Sequence, residues 1–401
     1  MAYDVCIVGA GPVGGALGCR LAAAGLRIAM VDRAALPPME HPDFDGRAYA
    51  IAAGSRRLLA EAGLWDALPL PPGPIEQIRV SDGRIGRPAS PLFLHFDFND
   101  LNEPGAALGW MIEARALRMA LNARLNALPN IDLFAPAEAT VTRTPEIAEI
   151  RLSTGETFAA RLVIAAEGRD SRLRREASIP AQRWPYHQSA IVCAIAHQHP
   201  HNRIALEHFL PAGPFAQLPM AGSETEPNLS ALVWTERSEN APRFMALSPE
   251  QFGHEIQRRL GDHLGAVRPV GRRWTYPLSA MYVHRFTADR LAIAGDAAHG
   301  IHPIAGQGLN LGLRDAIALA DLLIPAHTAG QDIGSQALLT RYANARRIDV
   351  ISMLAATDAL DRLFSTNFPP IRLARDLGIA AVHRMPRLKR ALMRQAMGLG
   401  V

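Results

Sequence analysis

The segment from Asp4 to Asp32 leaves this chain few folds to choose from. Residues 5–8 are an uninterrupted apolar run, the pattern of a buried parallel strand, and they pass directly into Gly9-x-Gly11-x-x-Gly14. An Ala/Leu-rich helical stretch follows to Ala24, Gly25 stops it, and residues 28–31 form a second strand that ends on Asp32. Strand, glycine turn, helix and strand at this spacing make one βαβ unit of about 30 residues. Gly9 permits the tight turn, Gly11 lets a pyrophosphate approach backbone where a Cβ would collide, and Gly14 lets the helix sit close to the sheet. The free N–H groups and positive dipole of that helix then face the phosphates. An acid ending the second strand accepts from ribose hydroxyls, so Asp32 favours the unmodified adenosine of FAD or NAD over a 2′-phosphate. The chain is therefore expected to bind a dinucleotide.

The remaining chain must complete that sheet. At 401 residues, 49% of them hydrophobic, it can bury a large core and is expected to form two interleaved domains. No window holds 18 uninterrupted apolar residues, and the sequence starts with a strand rather than a charged segment and an apolar h-region, so neither a secreted nor a membrane-spanning protein is expected. Cys6, Cys19 and Cys193 form no C-x-x-C and read as core thiols. Seven histidines between His187 and His263 lack the acid clusters of a metal centre, so no metal is expected.

Along the chain, residues 36–45 read as a Pro-containing loop and 46–55 as the lead into a helix ending near Leu64. Four prolines between Pro69 and Pro74 mark a crossing into another domain, where residues 75–98 alternate like antiparallel strands. From Gly109 the pattern turns helical as far as Leu125. Short strands at 131–134, 140–143 and 149–152 lead to a strand at 161–166, which ends on Glu167-Gly168 before a helix-capping Ser171. Between Ala181 and Val283, strands at 191–196, 204–210, 216–219 and 229–235 accompany one helix at 249–260. The fold class expected is α/β: a Rossmann-like dinucleotide domain (1–74, 99–180 and 284–325), interleaved with a mixed-sheet substrate domain (75–98 and 181–283), then a C-terminal helical region (326–401).

A second strong signal lies at 290–316: a strand, Gly295-Asp296, a loop holding His299 and His302-Pro303, then the glycine-rich helix start Gly306-Gln-Gly308-Leu309-Asn310. Asp296 at a strand end can accept from sugar-chain hydroxyls, and a bare helix N-terminus offers N–H groups to a developing anion. Such a pair suits an electron-rich ring.

Taken together, G-x-G-x-x-G with Asp32, the Glu167-Gly168 turn, and Gly-Asp-Ala-Ala-His-x-x-x-Pro-x-x-Gly-Gln-Gly-x-Asn resemble the FAD-dependent aromatic hydroxylases related to para-hydroxybenzoate hydroxylase. Asp45-Gly-Arg-Ala-Tyr-Ala-Ile, Phe209-Leu-Pro-Ala-Gly-Pro-Phe-Ala-Gln-Leu-Pro, Tyr276-Pro-Leu and the motif starting Leu388-Lys-Arg are similar to the hydroxylases of ubiquinone biosynthesis. The resemblance spans nearly the whole chain. It implies that Gly9, Gly11, Pro12, Val13 and Gly14 hold the FAD pyrophosphate, Asp32 the adenosine ribose and Arg33 the adenine side. Arg47 and Arg115 would contact the phosphate and ribityl region, Glu167 the cofactor, and Asp296 the ribityl chain. Pro303, Gly306, Gly308, Leu309 and Asn310 would face the flavin ring. Two positions depart from the family pattern, Glu167 where Asp is usual and Ala114 where Asn usually precedes Arg115.

Phe209, Phe215, Leu218 and Pro303 are the expected substrate contacts, and either His299 or His302 the handler of a phenolic proton, set against a satisfied loop histidine. The implied reaction is ring hydroxylation of a polyprenylated phenol through a flavin C4a-hydroperoxide, with O2 as cosubstrate and NAD(P)H as electron donor, and no protein triad. Two other classes share parts of the pattern. One is an FAD-dependent reductase of isoprenoid double bonds, which would need no oxygen. The other is a flavin-binding assembly protein, which would consume no reductant with any phenol.

The charge distribution bears on partners. The net charge is +4, yet residues 371–401 carry Arg372, Arg375, Arg384, Arg387, Lys389, Arg390 and Arg394 against Asp376 alone. A nucleic-acid-binding body is therefore not expected. Leu388, Ala391, Leu392, Gln395, Ala396 and Leu399 lie near one helical face flanked by those cations, a pattern that suits the anionic cytoplasmic face of an inner membrane and a prenylated substrate. Other ubiquinone-biosynthesis enzymes are further candidate partners, and the expected location is cytoplasmic.

Overall fold

The computed structural model describes residues 2–36, 45–86, 93–101, 107–364 and 385–399. The first sheet grows from the strand Ala2–Val8, whose Val5, Cys6 and Ile7 are wholly buried. It pairs in parallel with Ile28–Val31 on one side, Val8 opposite Val31, and with Thr157–Ala165 on the other, Val8 opposite Ala165. Ile131–Phe134 continues the sheet beyond Ile28–Val31, and Leu291–Ile293 continues it beyond Thr157–Ala165, both also parallel. Five parallel strands thus end at one edge, where ligands of such sheets lie. A hairpin, Ala139–Arg143 with Ala148–Leu152, folds against the first half of Thr157–Ala165.

Three helices cover this sheet: Pro12–Ala23, Ala114–Ala127 and Gln307–Thr328. Glycines set how close they come. A Cβ on Gly14 would stand 2.0 Å from the Gly9 carbonyl oxygen, and one on Gly18 would meet Met30 at 2.4 Å. The long helix Gln336–Phe364 packs along Gln307–Thr328, and Tyr342 donates from its hydroxyl to the Ile293 carbonyl at 2.8 Å.

The second sheet runs, edge to edge, as His299–Gly300, Val267–Val283, Ala181–His197, Leu229–Arg237, Gly213–Pro219, Ile204–Leu210, Gln77–Asp82 and Phe93–Asp97. Its pairs are antiparallel except Ile204–Leu210 with Gln77–Asp82. Alternation sorts its side chains. Ile191, Cys193, Phe215, Leu232 and Trp234 pack on the outer face beneath the helix Pro249–Leu260, through Phe252 and Ile256. Ser248 and Gln251 close a capping box at that helix's start. Ala190, Val192, Leu218, Ala231 and Val233 point the other way, toward the strand ends of the first sheet.

The helical pattern expected from Gly109 needs correction. Residues 48–52 and 109–113 are strands, Ala48–Ala52 and Gly109–Glu113, which with Gly73–Ile75 form a small sheet. Helix begins only at Ala114. Trp110 and Ile112 find cross-strand partners in Ile51 and Tyr49, and that long-range pairing overrides a local helical period. At the other end, the helix Pro386–Met397 buries Met393 and Met397 against Leu101 and Leu108, leaving Leu388, Leu392 and Leu399 exposed. The apolar face read from sequence is therefore not the docked one. The loop at 37–44 and the basic residues 372, 375 and 384 lie outside the described residues. Among the described residues no helix is long and apolar enough to cross a membrane, and no cluster of His, Cys, Asp or Glu has the geometry to hold a metal ion.

Candidate active site

Where the two sheets face each other they enclose a cleft of about 1320 Å³. Its polar side is made of strand ends from the first sheet: Val8 to Gly9, Val31 to Asp32, Ala166 to Asp170, and Gly295-Asp296. Gly9, at φ +110°, would drive a Cβ to 2.4 Å from the Ala166 carbonyl oxygen, so only glycine lets these two strand ends meet. Gly11 differs, since a Cβ there meets nothing within 4 Å. The helix after it has no side-chain cap and a proline at its start, so its first N–H groups face open cleft. Asp32 accepts from Ala10 N at 2.8 Å and Ala34 N at 2.9 Å, which fixes the carboxylate at the strand end with lone pairs to spare. This cradle suits a dinucleotide phosphate and ribose in both shape and donor set.

The Asp296 loop is held from behind. Asp315, wholly buried, accepts from Gly295 N at 2.8 Å, His299 Nε2 at 2.7 Å and Arg346 Nε at 2.5 Å. Burial alone would raise the Asp315 carboxyl, but His299 and Arg346 hold it below its ordinary range. His299 is thereby a satisfied structural histidine. Arg346 and Arg314 both pair with Asp349, and Arg314 also donates to the Gln395 carbonyl, tying the C-terminal helix into the same network.

The second uncapped helix start, Gly306 to Leu309, also lines the cleft, on a helix that packs against the first. Gly306 takes φ +63°, and a Cβ on Gly308 would enter open space. Asn310 lies behind the lining, buried, where it accepts from Ala52 N and donates to Ala50 O, both at 2.8 Å. It positions the helix start without facing the cleft.

Of the other residues picked from sequence, Pro12, Val13, Arg33, Arg47, Glu167, Asp296, Pro303, Leu309 and Leu218 line the cleft. Arg47 stacks over Trp274 at 4.6 Å and pairs with Asp45 at 2.6 Å. Glu167 turns its carboxylate back on its own chain, accepting from Ser171 Oγ at 2.6 Å and Leu173 N at 2.8 Å. Its extra methylene thus serves a helix start. Gly14 sits under the cleft floor, its missing side chain spent on helix-to-strand contact.

Arg115, Phe209 and Phe215 are elsewhere. Arg115 pairs with Glu113 at 2.6 Å, outside the lining, and Arg118, one turn further along the same helix, lines the cleft instead. Phe209 stacks on Phe364 at 3.8 Å in a cluster with Leu94 and Ile304. Phe215 is fully buried against Trp234 on the outer face. Phe215 and Leu218 sit three residues apart on one strand, so a period of two puts them on opposite faces, and only Leu218 reaches the cleft. The wall that sequence reasoning missed is Ala190, Val192, Ala231 and Val233, with Met111. Small apolar residues in strands carry no motif, and only sheet pairing reveals that they face one another.

His302 shares the loop of His299 but has a different setting. It is wholly buried, its Nε2 is 3.1 Å from Gln188 Oε1, and its Nδ1 has no hydrogen-bond partner among the described residues.

Comparison with known proteins agrees with this geometry. The FAD binding domain family matches residues 2–357. Ubiquinone hydroxylase UbiL of Rhodospirillum rubrum is 48% identical over 396 residues, covering 98% of this chain and 89% of that protein. The 3-demethoxyubiquinol 3-hydroxylase of Escherichia coli is 33% identical over 401 residues, covering 99% and 98%. Among solved structures, p-nitrophenol 4-monooxygenase PnpA from Pseudomonas putida superimposes with a TM-score of 0.79 at 18% identity over the full length of both chains, a likeness of fold.

Proposed function

We propose that this chain, which belongs to the FAD binding domain family shared with the ubiquinone hydroxylases, places a hydroxyl group on the ring of a polyprenylated phenol in ubiquinone biosynthesis. It is an FAD-dependent aromatic hydroxylase. The observation that carries the substrate reading is the contrast between the two walls of the cleft. One is built of glycines, strand ends and arginines. The other, contributed by the second sheet, carries no charged side chain among its lining residues, Ala190, Val192, Leu218, Ala231 and Val233 included. A dry, narrow wall of small side chains accepts a flat ring and repels water from the reacting carbon.

In this reading Gly9, Gly11 and the Pro12–Ala23 helix start hold the FAD pyrophosphate and Asp32 the ribose, with Arg33 and Arg118 alongside. Asp296 takes the ribityl chain, and the Gly306 to Leu309 N–H groups meet the pyrimidine edge of the ring. FAD, when bound, supplies the reduced flavin at which O2 is activated, with NAD(P)H as the proposed electron donor. Asn310 keeps the helix start against Ala48–Ala52, so its donors point at the ring edge before charge develops there.

The exposed Leu388 and Leu392, flanked by Arg387 and Arg390, suit peripheral contact with an anionic membrane surface, where a prenylated substrate resides, and other enzymes of the same pathway are proposed neighbours there. The location proposed is the cytoplasmic face of the inner membrane. Mass spectrometry of lipid extracts from cells lacking this protein, against the same cells carrying it, tests the reading. A prenylated phenol one ring oxygen short of the next intermediate should accumulate as the finished quinone disappears. Unchanged quinone would end it.

A further inference from the structure

The helix Gln336–Phe364 turns one side to the protein and the other to solvent. Val350, Leu354, Thr357, Asp361 and Phe364 are buried, Val350 and Leu354 in the core cluster built on the first sheet. On the opposite side, over about four turns from residue 348 to 363, Ile348 is 73% exposed, Ile351 46%, Leu363 41% and Leu360 38%. Ser352, Ala355, Ala356 and Ala359, which lie between them, are exposed as well. Among the described residues of this face Arg362 alone is charged, and it pairs along the helix with Asp358 at 2.8 Å. Single exposed aliphatic residues are ordinary, but a continuous stripe of them marks a surface that is covered in use.

The order of residues on the stripe says what covers it. Outward from the point between Ala355 and Ala356 the face is the same in both directions. Small residues come first, Ala355 matching Ala356 and Ser352 matching Ala359, and then large ones, Ile351 matching Leu360 and Ile348 matching Leu363. Such a face is self-complementary. A two-fold axis lying across the helix at that point sets the same helix of a second copy antiparallel on the first. Ile348 then comes level with Leu363 of the second copy, Ser352 with its Ala359, and Ala355 with its own counterpart. The small middle lets the two backbones approach to the roughly 8–10 Å of close helix packing, and the large ends close over it. A lipid surface calls for no such symmetry, and a lipid-inserting face carries bulky apolar groups at its middle, where this one has alanine and serine.

We propose that residues 348–363 are an interface for a second copy of this chain, joined by antiparallel, two-fold packing of the Gln336–Phe364 helices. The inference goes beyond the hydroxylase reading and does not depend on it. A helix pair about 24 Å long is a small interface. It covers less than the roughly 1,200 Å² of ordinary stable complexes, so the dimer should dissociate on dilution.

The test is sedimentation velocity of the FAD-loaded full chain from about 1 to about 100 µM. Wild type should move from monomer toward twice the 43.4 kDa chain mass as concentration rises. Ala355→Arg sets two cations against each other at the axis, on an exposed helical site that leaves the fold alone. It should stay monomeric throughout, with the flavin absorbance and melting temperature of wild type. Cysteine pairing reads the geometry. Ala355→Cys should form a disulfide with its counterpart under mild oxidation, because the axis brings the two within bonding reach. Ile348→Cys should not, its counterpart standing roughly 22 Å away along the pair. The chain's own Cys6, Cys19 and Cys193 are buried and do not compete. Wild type that stays monomeric at the top of the range, a dimer that Ala355→Arg leaves intact, or Ile348→Cys joined to itself overturns the proposal. Monomeric wild type that binds phosphatidylglycerol vesicles and is released from them by Ile348→Asp overturns it too, and assigns the face to lipid.

Discussion

The cleft has two sides that are built by opposite means. The strand-end side is made of backbone: glycines at 9, 11 and 14, an uncapped helix start, and Asp32 fixed by two N–H groups. The sheet side is made of side chains that are small and ordinary, Ala190, Val192, Ala231 and Val233, and works by what they omit. A backbone site tolerates almost no change where elements touch and much more where they open. A side-chain wall should tolerate change in the fold and register it in the substrate.

Gly14→Val is the harshest way to sharpen that contrast. With the Cβ position 2.0 Å from the Gly9 carbonyl oxygen and only backbone to yield, we expect no soluble holoprotein, read as flavin absorbance on the purified chain. Arg346→Met comes next. It leaves Asp315 buried without its cation behind the Gly295-Asp296 loop, for a loss of about 3–5 kcal/mol in urea unfolding. Gly11→Val should fold normally, because its Cβ meets open cleft, yet weaken FAD roughly 100-fold, about 2.8 kcal/mol, in flavin titration. If Gly11→Val unfolds the protein instead, the distinction between touching and open glycines fails.

On the sheet side, Ala231→Leu should retain FAD and raise the KM for the phenol roughly tenfold, about 1.4 kcal/mol. Loss of FAD in that variant would show that the two sides are not separable. The smallest effect concerns pH. Burial lowers the His302 imidazole below its ordinary 6.5 against the pull of Asp361 and Asp358, so below that pH the unfolded chain takes up a proton the folded ring does not. Stability is therefore complete above about 6.5 and declines as the pH falls through that window. The depressed carboxyl of Asp315 adds a second loss below its ordinary 3.8. Urea midpoints of the holoprotein followed from neutral pH into acid should show the first decline flattened in His302→Gln.

The same division explains what the sequence made legible. Residues 4–32 and 290–310 announce themselves because backbone geometry restricts which residue type fits. The helix at 249–260 is legible in the sequence, and the structure adds the Ser248 cap that starts it. The strands Ala48–Ala52 and Gly109–Glu113 are not legible, since each owes its conformation to the other across more than 50 residues of chain. Phe215 belongs to the outer face because strand parity decides which face a residue joins. His299 and His302, identical in type and three positions apart, are told apart only by the partners that residues 188, 315 and 346 bring to them.

The strand order also sets a timetable. Ala2–Val8 leaves the ribosome ahead of its neighbours in the sheet, which follow at 28–31, 157–165 and, one strand further out, 291–293, and the cleft is closed only by residues up to 309. At roughly 5–20 residues per second, synthesis of the stretch between takes on the order of 15 to 60 seconds. Until 157–165 emerge, about halfway through that interval, Ala2–Val8 displays one long-range edge unmet, and after that Thr157–Ala165 waits in turn for 291–293. The cofactor cradle can be completed only once residues up to 309 have been made.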